Sequence, residues 1–159
     1  MVTQEQPQKK ITVNEQQLMQ MAQQEETALN HKQATLERLA QMLGETITAK
    51  EILTNAQTNK GKIMFNIGAT VLIEGQITNT EKCKRALAEN AYKEDTFEGT
   101  ITWLAKKEDQ LKQQMKKIQT EMADGQNKLT NYISILKQVD AQKKKMIQIK
   151  KQAPPTLSK

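Results

Sequence analysis

At residues 67–80 the chain reads IGATVLIEGQITNT, a β-rich stretch midway in 159 residues that are otherwise rich in Gln, Lys, Glu and spaced Leu and Met. From residue 63 to residue 77, apolar side chains occupy the odd positions, and the even positions are mainly polar. A period of two residues is typical of a β-strand with one apolar face. Gly68 lies within the run, where a tight reversal or a bulge would split it into two strands. The stretch therefore predicts a β-hairpin.

The apolar face of this hairpin needs a covering partner. An isolated two-stranded hairpin is at best marginally stable in water, so we expect strands of other chains to pack on it. The central block is thus interpreted as an assembly device. The residues predicted to take part in assembly are Ile63, Phe65, Ile67, Gly68, Val71, Ile73 and Ile77, together with Leu87 further along the chain.

The C-terminal block has a heptad pattern. Alternate steps of four and three residues from Phe97 to Met146 meet fifteen positions, of which twelve are apolar. This spacing predicts a helix that supercoils against another helix. We expect the helix over residues 96–151, with Asp95 and Glu98 as a capping box at its start.

The N-terminal block, residues 13–58, is also predicted to be helical, although Glu25, Lys32 and Thr46 interrupt its leucine columns. Two long helices on either side of a compact middle can fold back as an antiparallel pair and bury each other's apolar stripes. Gly125 then lies about level with the interruption at residues 25–32. Residues 1–12 and 152–159 are predicted to be flexible tails.

Composition agrees with an extended architecture or with one subunit of an assembly. Aromatic residues make up 3% of the chain and the mean hydropathy is −0.74, which leaves little to fill a compact core. We therefore predict a mainly α chain with a small β part: one domain over residues 1–159, formed by a long antiparallel helical coiled-coil hairpin with one or two central β-hairpins. No apolar run is long enough to cross a bilayer and the N-terminus lacks the apolar core of a signal peptide, so we expect a cytoplasmic protein.

The central residues resemble a known family. The stretches IMFNIGATVLIEGQI (63–77), TNT (78–80) and FEGTITWL (97–104) are similar to the middle of prefoldin subunits of the alpha class, with no gap between Gly68 and Leu104. Alpha subunits usually carry a second G-A-G motif in a second hairpin, and this chain has Ala88, Glu89 and Asn90 there. The segment around these residues has as much helix as strand propensity. We predict a divergent second hairpin over residues 83–93.

The resemblance implies an ATP-independent holdase chaperone. Prefoldins are hexamers of two alpha and four beta subunits, or of six distinct subunits, in which coiled coils project from a double β-barrel. The implied partners are beta-class subunits, a second alpha-class subunit, non-native client proteins and a cytosolic group II chaperonin. In that architecture the coiled-coil tips, which contain both chain termini, grip the client.

Both ends of the helical blocks contain more apolar residues than a two-column seam can bury. Such a surplus can contact exposed apolar segments of a client, and methionine tolerates varied partners. The alternative is that some of these residues only close the coiled coil. The predicted client-binding residues are Ile11, Leu18, Met19, Met21, Ala22, Ile133, Leu136, Val139, Met146, Ile147 and Ile149.

Charge supports a rival interpretation. The formal net charge is +6 and the pI about 9.3. The C-terminal lysines at 137, 143, 144, 145, 150 and 151 could attract nucleic acid, an anionic membrane surface or acidic protein surfaces. A basic nucleic-acid-associated protein and a simple coiled-coil scaffold therefore stay as alternatives. The first lacks an aromatic platform, and the second does not need the β block.

Signatures of catalysis are missing from the sequence. It has no phosphate-binding glycine motif, no H-E-x-x-H motif and no paired cysteines. Cys83 and His31 are each the only residue of their type. We therefore expect no enzymatic activity, no metal site and no cofactor.

Overall fold

The computed structural model describes residues 14–152, and of Lys150, Lys151 and Gln152 it describes only the backbone. The elements are α1 (Glu15–Thr58), β1 (Lys62–Gly68), β2 (Val71–Gln76), β3 (Lys82–Ala88), β4 (Ala91–Thr96) and α2 (Phe97–Gln152). The strands form two separate antiparallel hairpins, β1–β2 and β3–β4. The predicted fold class is confirmed, and the second hairpin is formed.

The described residues fall into two compact units, which we treat separately. The junction unit is residues 34–120 and contains both hairpins; the distal unit contains residues 14–33 and 121–152. Each helix contributes to both units. In the distal unit Glu15 pairs with Lys143 and Lys32 pairs with Glu121. In the junction unit Lys50 pairs with Glu108, and Ala56 packs with Phe97. In both units the position on α2 falls as the position on α1 rises, so the helices are antiparallel.

The core of the junction unit lies where α1 ends and α2 begins. Ala56, Ile63 and Phe97 are buried together. Leu53, Ile77 and Cys83 pack against them, so that α1, both hairpins and α2 share one apolar cluster. Because the cluster is small, the hairpins extend from it with most of their apolar side chains uncovered.

The exit from α1 depends on a glycine. Gly61 donates its N–H to the carbonyl of Ala56 at 2.7 Å, and Lys60 and Gly61 have φ angles of 51° and 85°, which is the pattern of a Schellman-type helix end. Ile77 then donates its N–H to the carbonyl of Gly61 at 2.7 Å. A Cβ atom on Gly61 would lie 2.2 Å from the carbonyl oxygen of Ile77. Position 61 therefore requires glycine for both backbone angle and space.

The first hairpin reverses next to the glycine identified in the sequence. Ala69 and Thr70 have φ angles of 47° and 62°, as the two central residues of a type I′ turn require. The register shifts between Asn66 and Gly68, so β1 has one extra residue opposite β2. Gly68 thus belongs to a bulge, and the reversal follows directly after it.

The predicted capping box at the start of α2 is wrong. The cap is Thr96, whose Oγ1 accepts a hydrogen bond from the N–H of Gly99 at 3.0 Å. Asp95 is still part of β4, opposite Cys83, and its carboxylate lies 3.6 Å from Arg85 Nη2. Its side chain also accepts the N–H of Thr96 at 2.9 Å. Because Asp95 stays paired in β4, α2 begins at Phe97, one residue after the predicted start at 96.

A capping box does occur at the start of α1, where the sequence analysis missed it. Asn14 Oδ1 accepts the N–H of Gln16 at 3.4 Å, and Gln17 Oε1 accepts the N–H of Asn14 at 3.1 Å. Each side chain thereby satisfies a backbone donor that the helix leaves free. The two side chains therefore cap the start of α1.

Polar groups interrupt the helix seam of the junction unit. Thr46 is buried and donates its hydroxyl to the carbonyl of Met42 at 2.7 Å. One turn further along α1, the ammonium group of Lys50 binds the carboxylate of Glu108, which also binds Lys112 on its own helix. A hydrogen bond from Lys112, and a smaller contribution from the hydrogen bond of Lys50, hold the pKa of Glu108 below its usual value of 4.5. The bond to Glu108 likewise raises the pKa of Lys112.

Acid should weaken this link between the helices. Because the pKa of Glu108 is lowered on folding, its stabilisation is complete above pH 4.5 and is lost as the pH falls through the lower folded-state value. We expect Glu108→Gln to lower the thermal midpoint at neutral pH and the difference from wild type to shrink below pH 4.5, measured by circular dichroism. Glu51→Gln, at an exposed site on α1, is the control and should keep the wild-type acid response. A constant difference at every pH would contradict the expectation.

The distal unit has a close contact at Gly125. A Cβ atom there would lie 2.6 Å from Glu25 Oε1 and 3.0 Å from Leu29 Cδ2, so α1 approaches the backbone of α2 at this point. Gly125 thus lies level with the interruption at residues 25–32, as its position in the sequence predicts. Nearby, the Lys32 ammonium lies 3.5 Å from the Glu121 carboxylate. Polar residues thus form part of this seam.

Candidate functional site

Two groups of exposed apolar side chains are the candidate sites. The hairpin surface, on the junction unit, consists of Met64, Phe65, Ile67, Val71, Leu72, Ile73, Leu87 and Tyr92. The tip surface, on the distal unit, consists of Met19, Met21, Ile133, Ile135, Met146, Ile147 and Ile149. Exposed apolar groups at this density mark interaction sites in proteins.

One face of the first hairpin carries most of the residues predicted for assembly. Phe65 and Ile73 are directly opposite each other in the strand register. The Phe65 ring also extends over the neighbouring strand at Gly75, where a Cβ atom would lie 2.4 Å from Phe65 Cε2. The absence of a side chain at Gly75 therefore allows the ring to lie against the sheet and present a flat apolar surface.

The structure separates the predicted assembly residues into two groups. Ile63 is buried in the core of its own chain, and Ile77 packs against that core. Gly68 lies in the bulge, with nothing within 4 Å of its would-be Cβ atom. The remaining predicted residues are exposed in this chain: Phe65, Ile67, Val71, Ile73 and Leu87.

The opposite face of the first hairpin, which is mainly polar, also carries two exposed apolar side chains that were not predicted. Met64 is 57% exposed and Leu72 is 55% exposed, and both occupy even positions. Alternation with period two predicts that the even positions face solvent, and Met64 and Leu72 depart from that pattern. Met64 lies opposite Glu74 and Leu72 lies opposite Asn66, so exposed apolar side chains occur on this face beside polar ones. The hairpin surface therefore extends around β1 and β2.

The second hairpin differs in chemistry and is attached to α2. The guanidinium of Arg85 lies over the Trp103 ring, 4.4 Å from its centroid. Cys83 Sγ and Thr100 Oγ1 are 3.1 Å apart on the same side. A cation over an aromatic ring is an attractive contact, so Arg85 and Trp103 hold β3 against the first turns of α2.

The outer side of the second hairpin is charged. Lys82 and Glu94 form an ion pair at 2.8 Å, and their hydrogen bond raises the pKa of Lys82 and lowers that of Glu94. At the far end, Leu87 is 64% exposed and Tyr92 is 65% exposed. Charged side chains on an edge strand disfavour indiscriminate pairing with other sheets. This hairpin therefore limits its apolar contact to its end.

The residues predicted for client binding occupy different environments. Leu18 is buried, while Ala22, Leu136 and Val139 are half-buried. Ile11 lies outside the described residues. The other predicted residues, Met19, Met21, Ile133, Met146, Ile147 and Ile149, are exposed. Ile135 is exposed as well and was not predicted, although it lies off the heptad seam as Ile133 does.

The tip surface lies among ion pairs. Lys143 pairs with Glu15, the first residue of α1, and Lys144 lies 2.9 Å from Asp140 on its own helix. Helix α2 continues to Gln152, and this last part carries Met146, Ile147 and Ile149. Apolar and basic side chains therefore share one end of α2.

No cluster of three or more His, Cys, Asp or Glu residues within residues 14–152 could hold a metal ion. Within the same residues, neither helix has an apolar stretch that would allow it to traverse a bilayer.

Comparisons with known proteins agree with the geometry. The model of the Prefoldin subunit family matches residues 16–142. No curated protein matches the chain. The cryo-EM structure of filamentous PFD from Methanocaldococcus jannaschii has a similar fold, with a TM-score of 0.55 and 13% identity over 72% of this chain and 97% of that chain. Because the family model spans most of the sequence and the fold agrees with it, this chain belongs to the prefoldin subunit family.

Proposed function

We propose that this chain is an alpha-class subunit of a hexameric, ATP-independent chaperone that holds unfolded or nascent proteins. In this proposal its hairpins join those of beta-class subunits and a second alpha-class subunit in a β-barrel. The coiled-coil tips hold the client and deliver it to a group II chaperonin in the cytoplasm. The function requires binding and no bond chemistry.

The observation that carries the proposal is the hairpin surface. Phe65 and Ile73 are exposed on the apolar face of the first hairpin, and Met64 and Leu72 are exposed on its other face. Such a hairpin gains stability only when other strands or subunits cover it. The presence of a second hairpin supports the alpha class, because each beta-class subunit has only a single hairpin.

The tip surface supports the client-holding part of the proposal. Met19 and Met21 on α1, and Met146 on α2, combine exposure with a flexible, polarizable side chain. The α2 helix of the same unit also exposes isoleucines, at positions 133, 135, 147 and 149. A surface of this kind can contact many apolar sequences without a fixed shape.

The rival functions receive less support. Residues 137–149, the described part of the lysine-rich end of α2, contain no aromatic side chain on which a nucleic-acid base could stack. A scaffold coiled coil would not require the exposed apolar residues of the first hairpin. Both alternatives stay open to the following test.

Native mass spectrometry of the complex purified from its own cells tests the proposal. We expect a hexamer that contains two copies of this chain, or one if all subunits differ, and that suppresses aggregation of an unfolded protein without ATP. A homodimer, or co-purified nucleic acid, would contradict the proposal. An open-ended series of masses would instead indicate a filament, the form named for the M. jannaschii structure.

A further inference from the structure

The end of α2 combines apolar and basic groups in a regular way. Met146 is 61% exposed, Ile147 is 56% exposed and Ile149 is 68% exposed. Residues three or four positions apart are neighbours on a helix surface. Lys143 is therefore a neighbour of both Met146 and Ile147, and Lys145 is a neighbour of Ile149. Each exposed apolar side chain has an ammonium group beside it.

The carboxylates that already pair with these lysines would compete only weakly with the carboxylates of a ligand. Lys144 and Asp140 form a pair in which both side chains are more than half exposed, at 74% and 60%. In the pair of Lys143 with Glu15, the lysine side chain is 57% exposed. Exposed ion pairs contribute little to stability and exchange readily with other carboxylates. No described residue forms an ion pair with Lys145, so its charge is available to a ligand.

We infer that the tip surface selects client segments in which apolar side chains alternate with acidic ones. This inference rests on the proposed function and names the class of client that the same surface prefers. An acidic-apolar segment lying along residues 143–149 would place carboxylates against the lysines and apolar groups against Met146, Ile147 and Ile149. The lysine stems also provide apolar contact, because only their ends need water.

Two synthetic peptides test the inference directly. They share the same Leu and Phe positions, and the remaining positions are glutamate in one and lysine in the other. Binding to the intact complex is measured by fluorescence anisotropy. We expect the glutamate peptide to bind about tenfold more tightly at low salt, as two or three exposed ion pairs would allow. Raising the salt from about 0.01 M to about 1 M, which shortens the Debye length from about 30 Å to about 3 Å, should remove most of the preference.

A matched pair of variants locates the effect. Lys144→Gln with Lys145→Gln removes two charges from the tip surface and leaves Lys143 paired with Glu15. Lys116→Gln with Lys117→Gln removes two adjacent exposed charges from α2 at a distance from it. The first variant should reduce the preference for the glutamate peptide several-fold, and the second should leave it unchanged.

The possible outcomes separate this inference from the proposed function. Equal affinity of the two peptides, or an equal effect of both variants, would overturn the acidic preference even if the complex still suppresses aggregation. Failure of both peptides to bind a complex that protects clients would overturn it as well. Tighter binding of a single-stranded oligonucleotide through Lys144 and Lys145 would replace it with a nucleic-acid site. If the wild-type complex does not suppress aggregation of an unfolded protein, the proposed function itself is rejected.

Discussion

Replacing Ile73 by aspartate should prevent assembly of the complex. Ile73 is 46% exposed in the isolated chain and lies opposite Phe65 in the first hairpin. Covering an isoleucine side chain is worth about 1.5–3 kcal/mol, and placing a carboxylate in an apolar interface without a partner costs several kcal/mol more. Light scattering should therefore report a loss of the hexamer mass, while circular dichroism should report largely unchanged helix content.

The control for this variant is Met42→Asp. Met42 is 42% exposed, close to the exposure of Ile73, but it lies on α1 away from both hairpins. The same chemical change there should leave the mass of the complex unchanged. If Ile73→Asp also leaves the mass unchanged, the first hairpin is not an assembly surface.

Replacing Gly61 by alanine should be the most damaging glycine substitution. The new Cβ atom would lie 2.2 Å from the carbonyl oxygen of Ile77, and a φ of 85° is unfavourable for alanine. Backbone strain of this kind costs about 1–3 kcal/mol, to which the collision with backbone atoms adds. We expect a loss of about 3 kcal/mol or more in the free energy of unfolding, measured by urea denaturation of the purified complex.

Substitutions at two other glycines separate the cost of an unfavourable backbone angle from the cost of a steric collision. Gly68 has a φ of 105° with nothing within 4 Å of a Cβ atom, so Gly68→Ala should cost only the strain, about 1–2 kcal/mol. Gly44 has an open position within α1, and Gly44→Ala should stabilise the chain by about 0.5–1 kcal/mol. A Gly61→Ala variant no less stable than Gly68→Ala would show that the junction adjusts without cost.

Local patterns predicted the first hairpin and the second helix well. Alternation from residue 63 to residue 77 located β1 and β2, and Gly68 lies directly before the two turn residues. The seam starting at Phe97 indicated α2 within one residue of its observed start. These signals are local because hydrogen bonds and side-chain periodicity act between residues close in sequence.

Other features depend on contacts that local sequence patterns do not reveal. The second hairpin has ambiguous propensity, and a distant residue, Trp103, packs on Arg85 and supports it. Thr96 caps α2 because Asp95 is held in β4 by pairing with Cys83. Met64 and Leu72 were overlooked because a search for one apolar face disregards the other. In the tip, burial of Leu18 and exposure of Ile135 follow from how α1 and α2 pack.

The polar pairs along the helices have a consequence for the order of folding. Cys83 and Thr100 are 17 residues apart, Lys50 and Glu108 are 58 apart, and Glu15 and Lys143 are 128 apart. The entropy lost in closing a loop grows with its length, so contacts around the junction core are expected to form first. Once Lys50 has paired with Glu108, the pairing of Glu15 with Lys143 has to close only the two helix segments between the pairs and not the full separation of 128 residues. Unfolding is expected to follow the reverse order, so the ends of the helices should open first. Amide protection from hydrogen exchange should then decline along α1 from residue 56 towards residue 15. A surface expected to hold clients can therefore loosen and reform while the junction stays folded.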